Sequence, residues 1–182
     1  MPRWRGGEID RLLGAGHSAM HERLGRLLAE HAGWEHQAEV TFSIYGERGS
    51  IDILAWHRTT HALLVVELKT TIEDVHALLA QVDRYRRLAG AIARERGWEP
   101  GEISAWVVVA DSRTNRRRLA RHVTVLRTAF PVDGRGMRGW LRAPREAVSA
   151  LSFLPADHPR NAGRDGSVGS GPGGGRRTRG RA

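Results

Sequence analysis

The sequence predicts a mixed α/β domain whose elements run α-β-β-β-α-β-α, and two observations carry that expectation. Three extended, Val/Ile/Leu-rich segments follow one another between residues 35 and 69. Stretches with apolar residues at helical spacing then precede them and follow them. A meander of strands followed by a helical crossover is the arrangement such an order implies, with a central mixed sheet flanked by helices.

The first element is "EIDRLLGAGHSAMHERLGRLLAEHAGW" (8–34), where Leu12, Leu13, Met20, Leu24, Leu27 and Leu28 recur at helical spacing. It is expected to be a helix, broken near Gly14–Gly16 and ending at Gly33. "EHQAEVTFSIY" (35–45) partly alternates, with Val40, Phe42 and Ile44 on one face; after the turn "GERGS" come "IDILAWH" (51–57) and "HALLVVELK" (61–69). The third of these is apolar on both faces, as a central strand covered on both sides must be. "TTIEDVHALLAQVDRYRRLAGAIARERG" (70–97) is a helix, with Thr70 and Glu73 spaced as a capping box and Gly97 and Pro100 as its end. "ISAWVVVAD" (103–111) is a buried strand and "RTNRRRLARHVTVLRTAF" (113–130) a single helix. "GMRGWLRAP" (136–144) is expected to be a short strand and "AVSALSFLP" (147–155) a closing segment.

The folded domain is expected over residues 1–156. Residues 157–182 hold eight Gly and six Arg with almost nothing apolar, so they are expected to be a disordered tail. The net charge is +9, and the tail's six Arg against two Asp account for four of those charges. The remainder leaves the domain moderately basic, which favours an anionic partner, nucleic acid first. With no cysteine, disulfides, thiolate metal sites and Cys nucleophiles are excluded. No apolar run approaches a membrane span, and the N-terminus lacks the apolar stretch of a secretory signal, so a cytoplasmic location without membrane contact is expected.

Of the 29 basic residues, 28 are Arg; the single Lys is Lys69, at the end of the apolar third strand and two residues after Glu67. Alternation puts Glu67 and Lys69 on one face with Leu63 and Val65. A turn centred between Thr59 and Thr60 pairs Trp56 with Leu63, Leu54 with Val65, Asp52 with Glu67 and Ser50 with Lys69. Opposed carboxylates in an apolar sheet raise each other's pKa and call for a cation between them. Mg²⁺ or Mn²⁺ suits such a pair, and it would neutralise a phosphodiester while lowering the pKa of water. An ammonium is compact and can titrate when buried, whereas guanidinium stays protonated, so a retained Lys marks a place where Arg will not serve. Taken alone, an E-x-K in a strand reads as an ion pair at a strand end, and a one-residue slip would separate Asp52 from Glu67.

The residues "GSID" (49–52), "ELK" (67–69) and "QVDRY" (81–85) resemble the PD-(D/E)XK nuclease superfamily, of restriction-endonuclease-like fold with an αβββαβ core. The resemblance covers residues 8 to about 111. It implies a metal-dependent deoxyribonuclease in which Asp52 and Glu67 are metal ligands, the Leu68 carbonyl often adds a third, and Lys69 is catalytic. Gln81 and Tyr85 are similar to the Q-x-x-x-Y element of the RecB-like branch, implying active-site support or DNA contact. Ile51 stands where the family has the Pro of "PD". An additional acid on the first helix is common in such nucleases, and Glu22 is the candidate for it, equally readable as a solvated helix charge. His17 and His21 lie four apart and could bind a transition metal, but without a third ligand in the pattern they read as an exposed face. Arg84, Arg86 and Arg87, with Arg116, Arg117 and Arg118 in "RTNRRRLAR", could contact phosphates at the rim of the sheet or form a solvated face. The rival expectation is a catalytically inactive nucleic-acid-binding or regulatory module of the same fold. No targeting module is apparent, so specificity would come from a homodimer, a partner protein or a neighbouring chain.

Overall fold

The computed structural model describes residues 6–155, and side chains from residue 14 onward. The Arg/Gly tail and the side chains of Leu12 and Leu13 therefore lie outside what is described. Helix α1 spans Gly6–Ala29 and is continuous through Gly14 and Gly16, contrary to the expected break. It also stops four residues before Gly33. That glycine instead takes a left-handed turn (φ 90°) into β1, where a Cβ would lie 2.5 Å from His57 Nε2.

Strands β1 (Trp34–Ile44), β2 (Glu47–His57) and β3 (Leu63–Lys69) form an antiparallel meander. β3 pairs in parallel with β4 (Ile103–Ala110), and β4 in parallel with β5 (Ser149–Leu154), so the sheet order is β1-β2-β3-β4-β5. The parallel step from β3 to β4 is made by α2 (Val75–Arg94). The N-cap of α2 is Asp74, which accepts from His76 N and Ala77 N at 2.7 and 3.1 Å. The expected Thr70–Glu73 capping box is not used, because residues 70–74 leave the strand as an extended connection before the first turn closes.

Two further differences concern the C-terminal half. The expected single helix over 113–130 is two, α3 (Arg113–Ala120) and α4 (Val123–Ala129), interrupted at Arg121–His122. The segment 136–144, expected as a strand, instead has residues 136–143 in α5 (Gly134–Arg142) and its C-cap. Asp133 caps that helix through Arg135 N and Gly136 N, and Met137 and Leu141, four apart, are fully buried beneath it. That burial outweighs the poor intrinsic helicity of three glycines in nine residues.

Three layers result. Met20, Leu24 and Leu28 of α1 and Met137 and Leu141 of α5 cover one face, against Ile53, Ala55, Leu64, Val66, Leu68, Trp106 and Val108. On the other face α2 packs on Val40, Phe42, Ile44, Ile51, Leu54, Leu63 and Val65, and with α3 and α4 on Ala105, Val107 and Val109. β3 is buried on both faces, as its composition predicts. Among the described residues no helix is long and apolar enough to cross a membrane.

Asn115 fastens the end of this core nearest the single lysine. It is 1% exposed, accepts from Ile72 N at 3.1 Å, and donates to Thr70 O and Ala110 O at 3.0 and 2.9 Å. One side chain thereby satisfies three backbone groups in the segments leaving β3 and β4. Removing it strands those groups away from water, so Asn115→Ala is expected to cost about 2 kcal/mol, read as a lower urea midpoint at unchanged m-value.

Candidate active site

The β2–β3 ladder runs as its alternation predicts, with Trp56 opposite Leu63 and Leu54 opposite Val65, and it ends at Ile53–Val66. The expected ladder pairs Asp52–Glu67 and Ser50–Lys69 do not form. Asp52 Oδ2 instead accepts the Leu68 N–H at 2.6 Å, so a side chain closes the ladder where the two strands separate. The cause lies in β1 and β2 together. Ile51 packs under α2 and Ile53 under α1, although residues two apart in a regular strand share a face. Likewise Trp34 faces α1, whereas Val40, Phe42 and Ile44 face α2. The pairs Ala38–Ile53 and Val40–Ile51 hold one register on both sides, and between them Glu39 adopts φ 51°. Both strands therefore exchange faces at Glu39 and Asp52. That exchange swings the Asp52 carboxylate out of the regular ladder.

Glu67 is 3% exposed. Its Oε1 lies 2.6 Å from Lys69 Nζ, while Oε2 is buried with no hydrogen-bond partner. Burial pushes its carboxyl up to about 7, and the neighbouring Asp52 charge adds to the push; Lys69 and Arg84 oppose it. Lys69 Nζ also donates to Gln81 Oε1 at 3.0 Å, and Gln81 Nε2 donates to Tyr85 Oη at 2.9 Å. Tyr85 is buried edge-on against Phe42, so the chain Tyr85–Gln81–Lys69–Glu67 is held from the core of α2. Gln81 and Tyr85 are thus supports of the lysine. A cleft of about 250 Å³ opens beside Lys69 and Gln81, walled by Ile72 and Leu78. Two larger clefts, of about 750 and 780 Å³, lie beside β5, and a third, of about 600 Å³, opens beside His21, Glu22 and Glu39.

On the other side of Asp52 stands a pair that sequence reasoning set aside as an exposed face. His17 Nε2 lies 3.4 Å from Asp52 Oδ1 and 3.1 Å from His21 Nε2. The three residues each bring a ligand atom within 4.8 Å of the others, close enough to hold a metal ion. Burial, then His17, push the His21 imidazole below its ordinary value, with Asp52 and Glu39 pulling the other way. A neutral imidazole is the form that ligates. Asp52, on a different element, is the third ligand-bearing side chain of that group.

The other expected site residues divide. Glu22 is not a member of this cluster: its side chain is 70% exposed and pairs at 2.5 Å with Arg26, one turn along α1. The solvated-charge reading of Glu22 is the one the geometry matches. Arg84 stays close, with its charge felt at Glu67, its guanidinium 5.2 Å from the Tyr85 ring centre, and a buried Nε lacking a partner. Arg116 forks onto Asp111 at 2.5 and 2.7 Å and lies over the Phe153 ring, and Arg118 donates to Ile72 O at 2.5 Å. Both have partners within the fold, while Arg116 and Arg117 are exposed. Arg86 and Arg87 are similarly engaged, with Ser149 and Glu47.

No family model, curated protein or solved structure matches the chain.

Proposed function

We propose that the chain is a divalent-metal-dependent phosphodiester hydrolase acting on DNA, with the αβββαβ part of its α/β fold of the restriction-endonuclease-like kind. The observation that carries this is the buried, unpartnered Oε2 of Glu67 beside Asp52, with Lys69 on the opposite oxygen. A half-satisfied buried carboxylate with a charged neighbour costs stability, and sites that retain such a cost are sites of chemistry. The residues present fit a metal. Asp52, His17 and His21 would hold it, and Glu67, whose carboxyl feels the Asp52 charge, is proposed as the second carboxylate. Two imidazoles depart from an all-oxygen Mg²⁺ sphere and suit Mn²⁺ better, so Mn²⁺ is the first cofactor we propose and Mg²⁺ the second.

A bound cation would neutralise phosphate charge and acidify water. The chain's own groups would do the rest. Glu67 and Asp52 hold carboxylate charge where it can be opposed by a cation; Lys69, kept in place by Gln81, presents an ammonium that can orient the attacking water or stabilise the leaving oxygen. Gln81 and Tyr85 fix the lysine rotamer.

The test incubates the full chain with labelled single-stranded, duplex and branched DNA in Mn²⁺, Mg²⁺ or EDTA, beside Lys69→Ala. Cleavage that needs metal and falls about 10²-fold in the variant is expected. DNA that is shifted but uncut in every lane would replace this reading with the binding module.

A further inference from the structure

Beyond Asp52, the β1–β2 hairpin continues as an arm whose two faces differ. On one face Val40, Phe42, Ile44 and Ile51 are buried against α2, and Glu47 is tied to Arg87 at 2.8 Å. On the other, Thr41 lies opposite Ser50 and Ser43 opposite Arg48, and all four are exposed. This open face carries no acid between the tip and Asp52. Because the strands exchange faces at Glu39 and Asp52, the open face leads onto the side where Asp52 meets His17.

The tip is a two-residue turn, Tyr45–Gly46, with φ 52° and 82°. Positive φ at both positions is the hairpin turn that Asn-Gly favours, and Tyr gains nothing from it. Nor does Tyr45 pack, being 87% exposed and the most exposed large apolar side chain of the described residues. Exposure alone would be ordinary for a lone aromatic, but a bulky ring held in an unfavourable backbone region with no packing return points to a use outside the fold.

We infer that this arm binds an unpaired nucleic-acid strand, with Tyr45 stacked on a base while Arg48 and the Ser43, Thr41 and Ser50 hydroxyls follow its phosphates toward Asp52. The inference rests on the hydrolase reading above. An aromatic face takes any base, and hydroxyls with one Arg follow a backbone without reading sequence, so the arm selects for strand state instead. At about 3.3 Å per residue the tip stands roughly 20 Å from Asp52, a span of a few nucleotides of extended strand. A base paired within a duplex cannot offer its face to the ring without unstacking.

The experiment measures binding of one labelled oligonucleotide as single-stranded DNA, as blunt duplex and as RNA, by anisotropy in EDTA at physiological salt. The full chain is compared with Tyr45→Ala, Tyr45→Phe and Arg48→Ala, and cleavage of the same strands is followed in Mn²⁺. Tyr45→Ala is expected to weaken single-strand binding about 5- to 100-fold, Tyr45→Phe to retain it, and duplex binding to be unchanged. Arg48→Ala should lower the salt slope by about one. An abasic site walked along the strand should abolish the difference between Tyr45→Ala and the unaltered protein at one position. The DNA and RNA arms tell which backbone the open face accepts. If Tyr45→Ala binds and cuts like an active parent, or weakens duplex and single strand equally, the arm is not a stacking site and the hydrolase reading survives. If the parent neither binds nor cuts any strand, the hydrolase reading fails and this inference falls with it.

Discussion

Asp52→Asn is expected to lower metal-dependent cleavage by about 10³-fold or more while leaving the fold intact. Two roles separate at this side chain. Its Oδ2 accepts the Leu68 N–H at 2.6 Å, closing the end of the β2–β3 ladder. Its Oδ1 faces His17, on the side where a cation would sit. An asparagine keeps one carbonyl oxygen for the backbone bond and loses the charge. The ladder end therefore survives, and far-UV circular dichroism and the urea midpoint should move little. What goes is the anionic donor in a group whose other described members are two imidazoles. Metal affinity should fall with activity, so calorimetric titration with Mn²⁺ checks the cause independently of cleavage. Activity at the parental level in the folded variant would remove Asp52 from the centre of the site. Asp52→Ala is the useful contrast, because it also leaves Leu68 N–H without its partner and should add a stability loss of about 1–3 kcal/mol.

Much of this site is readable from the residue order, and the part that is not has a common cause. Glu67 and Lys69 share a face because alternation in β3 is regular, and the turn at Thr59–Thr60 sets the observed pairs down to Ile53–Val66. Beyond that point the register no longer tells where Asp52 points. The exchange of faces depends on the backbone of Glu39 (φ 51°), and glutamate carries no signature of a left-handed conformation. His17 and His21 were visible as a pair one helical turn apart, but their third partner comes from a strand more than thirty residues onward. Spacing within one element cannot reveal a cluster shared between elements. Glu22, on the same helix, has an exposed side chain paired with Arg26 and is not among the three that converge at Asp52. In α5 three glycines and three arginines hid a helix whose evidence is the Asp133 cap and the Met137–Leu141 pair. Local propensity lost there to two side chains that fill the core over β5.

The metal-free protein is expected to lose stability as pH rises from about 4.5 to about 7, and Glu67→Gln to abolish that loss. Glu67 has an ordinary carboxyl value of 4.5 when unfolded and about 7 when folded. Between those values the folded state holds a proton that the unfolded state has released, so stability falls with rising pH over that window. Below 4.5 both states are protonated and the group contributes no difference; above 7 the cost is complete. A shift of this size corresponds to about 3 kcal/mol, or roughly 10 °C in midpoint for a domain of this length. Burial is the larger cause and the Asp52 charge the second, with Lys69 too weak an opponent to cancel both. Glutamine has the shape of the protonated acid and does not titrate, so the difference between parent and variant isolates Glu67 from every other titrating group. In EDTA the variant should become the more stable of the two as pH passes 7. Adding Mn²⁺ at pH 8 should reverse the order, since a cation repays the parent for its buried charge and finds only one carboxylate in the variant. Thermal melts at pH 5, 6, 7 and 8, with and without metal, give both comparisons. Parallel melts across the whole range would mean that Glu67 is already compensated inside the fold, and the principal argument for a cation at this site would be lost.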